Sequence, residues 1–328
     1  MKRNIVIVLI CLLMIMSFVS CKKQSAKLIP VTVTLDWTPN TNHTGLYVAL
    51  EQGLFSREGL DVKIVQPGQG YTDQIVATGK SEFGVSYQEN VTRARSEKMP
   101  LVSVAAVIQH NTSGFASLKE ANITTPKDFE GKRYGSWDSP SEQAVLSAIM
   151  QKNGADFSKV KIISGITDFF STIGRDADFE WIYAGWDGVE AKLRGMELNY
   201  IPLTELEPAL DYYTPVLITS ENIIADNPDL VKRFLKAASE GYDFAINNPD
   251  AAAEILLKHA PELKPELVFA SQRYLADKYR AESPQWGMQK PEVWQNFLDW
   301  MIGQKLIAEP IEINSAFTND FLPSGAAQ

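Results

Sequence analysis

The sequence predicts an α/β fold with two lobes, each a mainly parallel sheet with flanking helices. Strand-like and helix-like patterns alternate along the chain, which is typical of parallel strands joined by crossover helices. The alternation occurs once before Phe115 and again after it, and a mostly helical segment follows Asn227. A length of 328 residues also exceeds what one typical core needs, so it favours two domains.

The first series of elements begins with a clear strand. Val31, Val33 and Leu35 alternate with threonines and therefore share one face of a strand. Pro39 ends this strand, and a helical pattern continues from there to Gly53. Strands of this series are predicted at 31–36, 61–65, 83–86 and 101–108, and helices at 72–78 and 89–96.

The second series contains a well-marked helix start at Ser139-Pro140-Ser141-Glu142. This segment combines a capping-box pattern with proline at the first helical position. Strands are predicted at 132–137, 160–164, 179–184, 198–201 and 216–219, and helices at 139–153 and 187–194.

Two similar α/β units and a helical tail indicate a chain that passes between lobes twice, near 113–117 and 213–217. The first lobe is then discontinuous, with residues 31–113 and 217–328, and the second lobe holds residues 114–216. A ligand would lie between the lobes, and closure around it would be a hinge motion. Two independent α/β domains are the alternative that the pattern leaves open.

The amino terminus has the pattern of a secretory signal. Basic residues precede an apolar run at 5–16, which is too short to span a bilayer comfortably and ends shortly before Cys21. We predict a signal peptide at 1–20, acylation of Cys21 and a polar tether at 21–30. The protein would then be extracytoplasmic, anchored to the bacterial cell membrane through its lipid. An ordinary signal peptide with an incidental cysteine is the alternative.

Charge and motif content exclude several classes of function. The formal net charge is −9, which disfavours nucleic acid as a partner because long-range attraction would have the wrong sign. His43, His110 and His259 are far apart, and the mature chain keeps one cysteine, so no metal site is predicted. No dinucleotide, phosphate-loop or nucleophile-turn motif occurs. We therefore predict no cofactor, and binding rather than catalysis.

Aromatic residues at strand ends are the positive signal. Trp37, Tyr87 and Trp186 each follow a predicted strand, and Phe115 lies at the first crossing between lobes. Ligands bind beyond the carboxyl ends of parallel strands, so these rings are candidates to stack on a flat ligand. Any one of them alone is typical of a core aromatic.

Polar residues accompany these aromatics. Asp36 and Asn40 flank Trp37, and Asp187 follows Trp186. Glu190 lies four residues beyond Trp186, so both project from one face of a helix. A carboxylate there can accept hydrogen bonds from the amino edge of a heterocycle. In the alternative interpretation, Glu190 only pairs with Arg194, a further four residues on.

Three segments carry a family resemblance. The segment Leu35-Asp36-Trp37-Thr38-Pro39-Asn40-Thr41-Asn42-His43-Thr44-Gly45 closely resembles the first motif of bacterial pyrimidine-precursor binding proteins, a group related to the fungal thiamine-pyrimidine synthases. Gly84-Val85-Ser86-Tyr87-Gln88 resembles the intermediate motif, and Tyr183-Ala184-Gly185-Trp186-Asp187-Gly188-Val189-Glu190-Ala191 the second-lobe motif. The resemblance implies a type II periplasmic-binding-protein-like fold with its ligand between the lobes.

The resemblance also implies roles for individual residues. Trp37, Tyr87 and Trp186 would stack on the ligand, Glu190 would anchor it, and Tyr183 and Asn40 would contact its edge. In the synthase relatives the histidine corresponding to His43 supplies chemistry, whereas here it would cap a turn or line the cleft.

The departures from the synthases favour a binding protein. Those relatives carry a cysteine-rich motif, and this chain has no cysteine after Cys21. We therefore expect a monomeric lipoprotein that captures a thiamine pyrimidine precursor, such as a formylated aminomethylpyrimidine, for an ABC permease and its ATPase. Riboflavin, thiamine or a sulfonate are alternative ligands within this architecture. An exported synthase-like enzyme is the alternative from another class.

Overall fold

The computed structural model describes residues 27–68, 71–307 and 310–324. The predicted signal peptide and Cys21 lie outside these residues, so export and acylation stay predictions. No helix within the described ranges combines the length and the apolar character needed to cross a membrane.

The first sheet contains five strands in the order β2-β1-β3-β10-β4. Strand β1 pairs in parallel with both β2 and β3, whereas β10 is antiparallel to β3 and to β4. The strands are β1 (Ile29–Thr34), β2 (Leu60–Val65), β3 (Phe83–Ser86), β4 (Leu101–Ala106) and β10 (Val216–Ser220).

The second sheet repeats this arrangement in the order β7-β6-β8-β5-β9. Here β6 is parallel to β7 and β8, and β5 is antiparallel to β8 and β9. The strands are β5 (Ser113–Leu118), β6 (Arg133–Gly135), β7 (Lys161–Ile163), β8 (Phe179–Tyr183) and β9 (Leu198–Pro202). Two mainly parallel sheets with flanking helices confirm the predicted fold class.

Helices cover both sheets. They are α1 (Thr44–Glu51), α2 (Leu54–Arg57), α3 (Thr72–Ala77), α4 (Gln88–Ser96), α5 (Pro140–Lys152), α6 (Phe169–Thr172), α7 (Val189–Leu193), α8 (Leu203–Leu206), α9 (Glu221–Asp226), α10 (Pro228–Asn247), α11 (Pro249–His259), α12 (Pro265–Leu275), α13 (Pro291–Gly303) and α14 (Ile313–Ala316). The predicted helix at 187–194 is shorter, because residues 184–188 form a wider π-type turn that leads into α7.

Helix α1 brings the first strand's carboxyl end against the long helix α10. Glycines at the crossing allow this close approach: a Cβ on Gly45 would lie 2.3 Å from the Tyr242 ring, and one on Gly241 would lie 2.1 Å from the Gly45 carbonyl oxygen. The Tyr242 hydroxyl donates to the Asn42 carbonyl at 2.8 Å. The start of α1 is thereby fixed next to the end of β1.

Helix α13 carries an apolar stripe at helical spacing, formed by Trp294, Phe297, Leu298 and Met301. Trp294 packs with Tyr213 and Val216 next to the first sheet. Phe297 and Met301, however, belong to the core that includes the second sheet. Since successive positions of the stripe turn toward different cores, the helix spans both lobes. The lobe boundaries deduced from the sequence stay predictions.

Candidate functional site

A cleft of about 390 Å³ lies between the two lobes. Its walls are built from the segments that follow β1, β3, β6 and β8, together with parts of α3, α4, α5 and the loop before α6. These four strands occupy equivalent positions in the two sheets. The carboxyl ends of the parallel strands therefore meet at one cavity, the position expected for a ligand site in open α/β sheets.

On the first-lobe wall, a hydrogen-bonded chain joins three side chains. The backbone N–H of Asn40 donates to His43 Nδ1 at 3.2 Å, and His43 Nε2 lies 2.6 Å from Asp36 Oδ1. With Nδ1 as acceptor, Nε2 carries the proton and donates to the carboxylate. The Tyr87 hydroxyl donates to Asp36 Oδ2 at 2.5 Å. Asp36 thus fixes the orientation of the Tyr87 ring.

These hydrogen bonds determine the ionisation states of Asp36 and Tyr87. Burial raises the pKa of Asp36, but the adjacent His43 and the hydrogen bonds from His43 and Tyr87 outweigh it, so the pKa lies below its ordinary value. Burial and the Asp36 charge raise the pKa of Tyr87 well above its ordinary value. Asp36 is therefore an ionised acceptor and Tyr87 a neutral donor near neutral pH.

On the second-lobe wall, the wide turn after β8 carries Trp186 and Asp187. Asp187 Oδ2 accepts the backbone N–H of Tyr183 at 3.1 Å, which closes the turn. Burial, together with the neighbouring Glu190 and Asp168 carboxylates, raises the pKa of Asp187 to about 6. Wide turns of this kind frequently occur at functional sites.

Two further carboxylates lie deep in this wall. Glu142 is 2 % exposed and accepts from the Tyr134 hydroxyl at 2.6 Å and the Ser136 hydroxyl at 3.0 Å. Glu180 is 1 % exposed and accepts from the Thr172 hydroxyl at 2.6 Å. Burial raises the pKa of both groups, and that of Glu180 reaches about 7.

The ionisable side chains among the described residues of the cleft are acidic or tyrosine, without basic groups. Of the described residues that line it, none is lysine, arginine or histidine, whereas the acidic ones are Asp36, Asp73, Glu89, Glu142, Glu180 and Asp187. No metal-binding cluster of histidine, cysteine and carboxylate groups occurs within the described part of the chain. The wall therefore combines aromatic faces with hydrogen-bond acceptors, a composition suited to a flat ligand with N–H donors.

Most of the residues predicted from the sequence lie in this cleft. Those that line it are Asp36, Trp37, Asn40, Tyr87, Tyr183, Trp186 and Asp187. His43 is fully buried behind Asp36, where it caps the turn at 41–43 rather than lining the cavity. Their contact with a ligand stays a prediction.

Phe115 and Glu190 are not among the described residues that line the cleft, and their contact with a ligand stays a prediction. Phe115 is 1 % exposed in the second-lobe core, in edge-to-face contact with Phe129 at 5.2 Å. It lies within the antiparallel β5 and so is not at the carboxyl end of a parallel strand. Glu190 Oε1 accepts from Lys264 at 2.6 Å and from Arg194 Nε at 3.0 Å, as in the alternative interpretation of its spacing.

The sequence interpretation missed several residues of the cleft. They are Tyr71, Asp73, Trp137, Glu142, Glu180 and Trp181. Trp137 follows β6, the strand that corresponds to β1, so the strand-end argument applied to Trp37 would have found it. Glu142 and Glu180 carried no such signal, because one belongs to a helix start and the other to a buried strand.

Two lobes joined at a ligand-sized cleft define a protein with the periplasmic-binding-protein fold. A solved structure supports this class: the alkanesulfonate-binding protein SsuA from Xanthomonas axonopodis pv. citri bound to MOPS superposes with a TM-score of 0.68. The match covers 89 % of this chain and 99 % of that one at 15 % identity.

The chain belongs to the NMT1/THI5-like family, whose sequence profile matches residues 40–252. A formylaminopyrimidine-binding protein from Halalkalibacterium halodurans is 31 % identical over 321 residues, which is 94 % of this chain and 96 % of the relative. A 4-amino-5-hydroxymethyl-2-methylpyrimidine phosphate synthase from Legionella pneumophila is 25 % identical over 301 residues, covering 89 % of this chain and 92 % of the relative. The family resemblance deduced from the motifs is confirmed.

Proposed function

We propose that the protein is an extracytoplasmic binding lipoprotein that captures a thiamine pyrimidine precursor and delivers it to an ABC importer. The ligand would be a formylated aminomethylpyrimidine or a close relative of it. Transfer would require a permease and an ATPase as partners, and acylated Cys21 would keep the monomeric protein at the membrane surface. The similarity to a relative named for binding formylaminopyrimidine supports this ligand class.

The observation that carries the proposal is the composition of the cleft. Trp37 and Tyr87 on one lobe face the wall that holds Trp186 on the other, so a flat ring has aromatic surface available from both sides. Carboxylates that line the same cleft can accept the N–H groups of an aminopyrimidine. In the absence of Glu190 from the cleft, we assign the anchoring role to Asp187 and Glu180.

A sulfonate is a poorer candidate for the same cleft. Anion sites use basic side chains or free helix amino termini, and no basic side chain lines the described part of this cavity. Thiamine and riboflavin also present flat rings, so they remain the comparison ligands for any binding experiment.

Catalysis of the synthase type is less compatible with this site. His43 has both ring nitrogens in hydrogen bonds and no exposed surface. A histidine that reacts with a ligand must present a free nitrogen within contact distance of it. We therefore propose a binding protein in which this histidine supports the wall.

The test is a titration of the purified protein with N-formyl-4-amino-5-aminomethyl-2-methylpyrimidine, thiamine, riboflavin and an alkanesulfonate. We expect the aminopyrimidine to quench tryptophan fluorescence, to raise the melting temperature as a native-state ligand does, and to be recovered unchanged. Trp186→Leu should weaken this binding by about tenfold or more.

Trp300→Leu is the matched control, because Trp300 packs on the second-lobe core away from the cleft. Tighter binding of riboflavin or a sulfonate than of the aminopyrimidine would overturn the ligand assignment. Conversion of the ligand, or loss of a histidine from the protein, would favour the synthase alternative.

A further inference from the structure

The acidic groups of the cleft have one another as neighbours. Glu180 on β8 faces Thr172 and Asp168 beside α6, Glu142 on α5, and Asp187 in the wide turn. Asp187 in turn faces Glu190 and Asp168. Glu190 is itself paired with Lys264 and Arg194. The other neighbours are neutral or acidic, so each ionised carboxylate among them raises the cost of ionising the next.

The first-lobe carboxylates have different neighbours. Asp36 accepts a hydrogen bond from the neutral His43, and the Arg93 charge acts on Asp73 and Glu89, although burial still raises the pKa of both. On the second-lobe wall, neither Glu180 nor Asp187 has a cation among the neighbours that shift its pKa. Burial and these neighbours raise the pKa of Glu180 to about 7 and that of Asp187 to about 6.

Exposed aromatic rings lie at the same cleft. Trp37 is 47 % exposed, Trp137 is 39 % exposed and Tyr71 is 72 % exposed, and they come from both lobes. Large aromatic side chains with free faces beside carboxylates are the arrangement that recognises organic cations, through the negative face of each ring. Neutral heterocycles need the aromatic faces but not the accumulated negative charge.

We propose that the cleft takes its ligand as a flat heteroaromatic cation, and that binding releases protons from the Glu180 and Asp187 wall to solvent. This inference rests on the proposed function and specifies the charge state of the ligand. An aminopyrimidine would bind in its ring-protonated form, and a permanently charged azolium or pyridinium-type ring would fit the same requirement. The positive ring replaces protons that the empty wall holds.

The exchange of protons for a bound cation fixes how the binding affinity changes with pH. A bound cation stabilises ionised carboxylates, so it lowers the proton affinity of Glu180 and Asp187 and sends protons to the buffer. For a permanent cation, affinity should then rise with pH between about 5 and 8, across the range in which the empty wall is partly protonated. A neutral ligand would show no such rise.

The probes are 4-amino-2-methylpyrimidine methylated on a ring nitrogen, which is a permanent cation, and its unmethylated parent. At about pH 8 and low salt the cation should bind at least about tenfold more tightly than the parent, because it faces several carboxylates. The advantage should shrink as salt screens the partly open cleft. Calorimetry at about pH 6 in buffers of different ionisation enthalpy should detect proton release on binding of the cation.

Glu180→Gln should reduce both the proton release and the cation's advantage, since the amide can still accept from Thr172. Asp187→Asn is the second variant should the first fail to fold, because its carbonyl can still accept the Tyr183 amide. Glu266→Gln is the matched control, since Glu266 is exposed on α12 outside the cleft.

Equal binding of both probes, or tighter binding of the parent, would overturn the charge assignment and leave the proposed function standing. Binding of the cation without proton release in the intact protein would overturn the exchange. Binding of neither probe, with a sulfonate or riboflavin bound instead, would overturn the proposed function and this inference together.

Discussion

The carboxylate of Asp36 decides how Tyr87 is presented to the cleft. Its two oxygens accept hydrogen bonds from His43 and from the Tyr87 hydroxyl. The backbone N–H of Asn40 in turn holds the imidazole of His43. The ring of Tyr87 therefore cannot turn without breaking a charge-assisted hydrogen bond. Such a supporting layer holds an aromatic side chain in one orientation before any ligand arrives.

Substitutions of Tyr87 separate its ring from its hydroxyl. Tyr87→Ala removes the stacking surface and should weaken aminopyrimidine binding by about tenfold or more. Tyr87→Phe keeps the surface and should retain most of the affinity, while it lowers the free energy of unfolding by about 1 to 2 kcal/mol because Asp36 loses a donor. Calorimetric titration and urea unfolding measure the two effects. Equal loss of affinity in both variants would contradict the assignment of stacking to the ring.

Sequence pattern identified residues whose role depends on local geometry. Trp37, Tyr87 and Trp186 lie within a few residues of the ends of β1, β3 and β8. Their positions along the sequence were therefore enough to predict that they line the cleft. Glu190 was different, because Lys264 is 74 residues away along the chain and no pattern within one helix reveals that partner. Phe115 lies in the core of the second lobe, and no local pattern reveals that β5 runs antiparallel to its neighbours.

At the scale of elements, α12 links the two walls. The Ser271 hydroxyl on this helix donates to the Gly185 carbonyl in the wide turn, and its oxygen lies 2.6 Å from the Thr41 hydroxyl oxygen next to the first wall. Leu275 approaches so closely that a Cβ on Gly185 would lie 2.8 Å from its side chain. The Lys264–Glu190 ion pair joins the amino end of α12 to α7, the helix that follows the wide turn.

Breaking this ion pair should change how long a ligand stays bound. Lys264→Met removes the cation that α12 contributes, and the pair is partly exposed, so its contribution is about 0.2 to 1 kcal/mol. We expect ligand dissociation to be about 1.4-fold to fivefold faster, with the association rate nearly unchanged. Stopped-flow tryptophan fluorescence measures both rates.

Arg194→Met is the matched control for this variant. Arg194 also binds Glu190, but it lies one helical turn away in the same lobe and makes no link to α12. Its removal should leave the dissociation rate close to that of the intact protein. The same acceleration in both variants would mean that the ionic environment of Glu190, rather than the link between elements, controls dissociation.

The order of elements was predictable, whereas the contacts between lobes were not. Alternating Val31, Val33 and Leu35 predicted β1 because a half-buried strand has a period of two. The stripe on α13 likewise predicted a buried helix face, but it gave no indication that Trp294 and Phe297 enter different cores. A periodic stripe reports how much of a helix is buried and carries no information about which surface covers it.

At the scale of the whole molecule, accumulated negative charge in the cleft opposes stability of the ligand-free protein. Glu180 has a pKa of about 7 in the folded protein, against an ordinary value of 4.5. Between these values the native state holds a proton that the unfolded chain has lost, so the free energy of unfolding falls as pH rises. Hydrogen bonds to Asp211 and Glu282 outweigh burial and raise the pKa of His110 to about 9, which adds a fall of the same sign above about pH 6.5.

The melting temperature of the ligand-free protein should therefore decrease as pH rises from about 5 to 7, and Glu180→Gln should reduce that decrease by roughly 5 °C. The amide of the variant cannot ionise. The variant therefore does not lose the stability that the intact protein loses when the buried Glu180 carboxyl gives up its proton. Differential scanning calorimetry of both proteins across this range isolates the Glu180 contribution from that of His110, because both proteins keep the histidine. Glu266→Gln, which removes an exposed carboxylate, should follow the intact protein at every pH. Parallel curves for the intact protein and Glu180→Gln would mean that Glu180 is already ionised in the native state at about pH 5, and that charge repulsion in the cleft is relieved by another group.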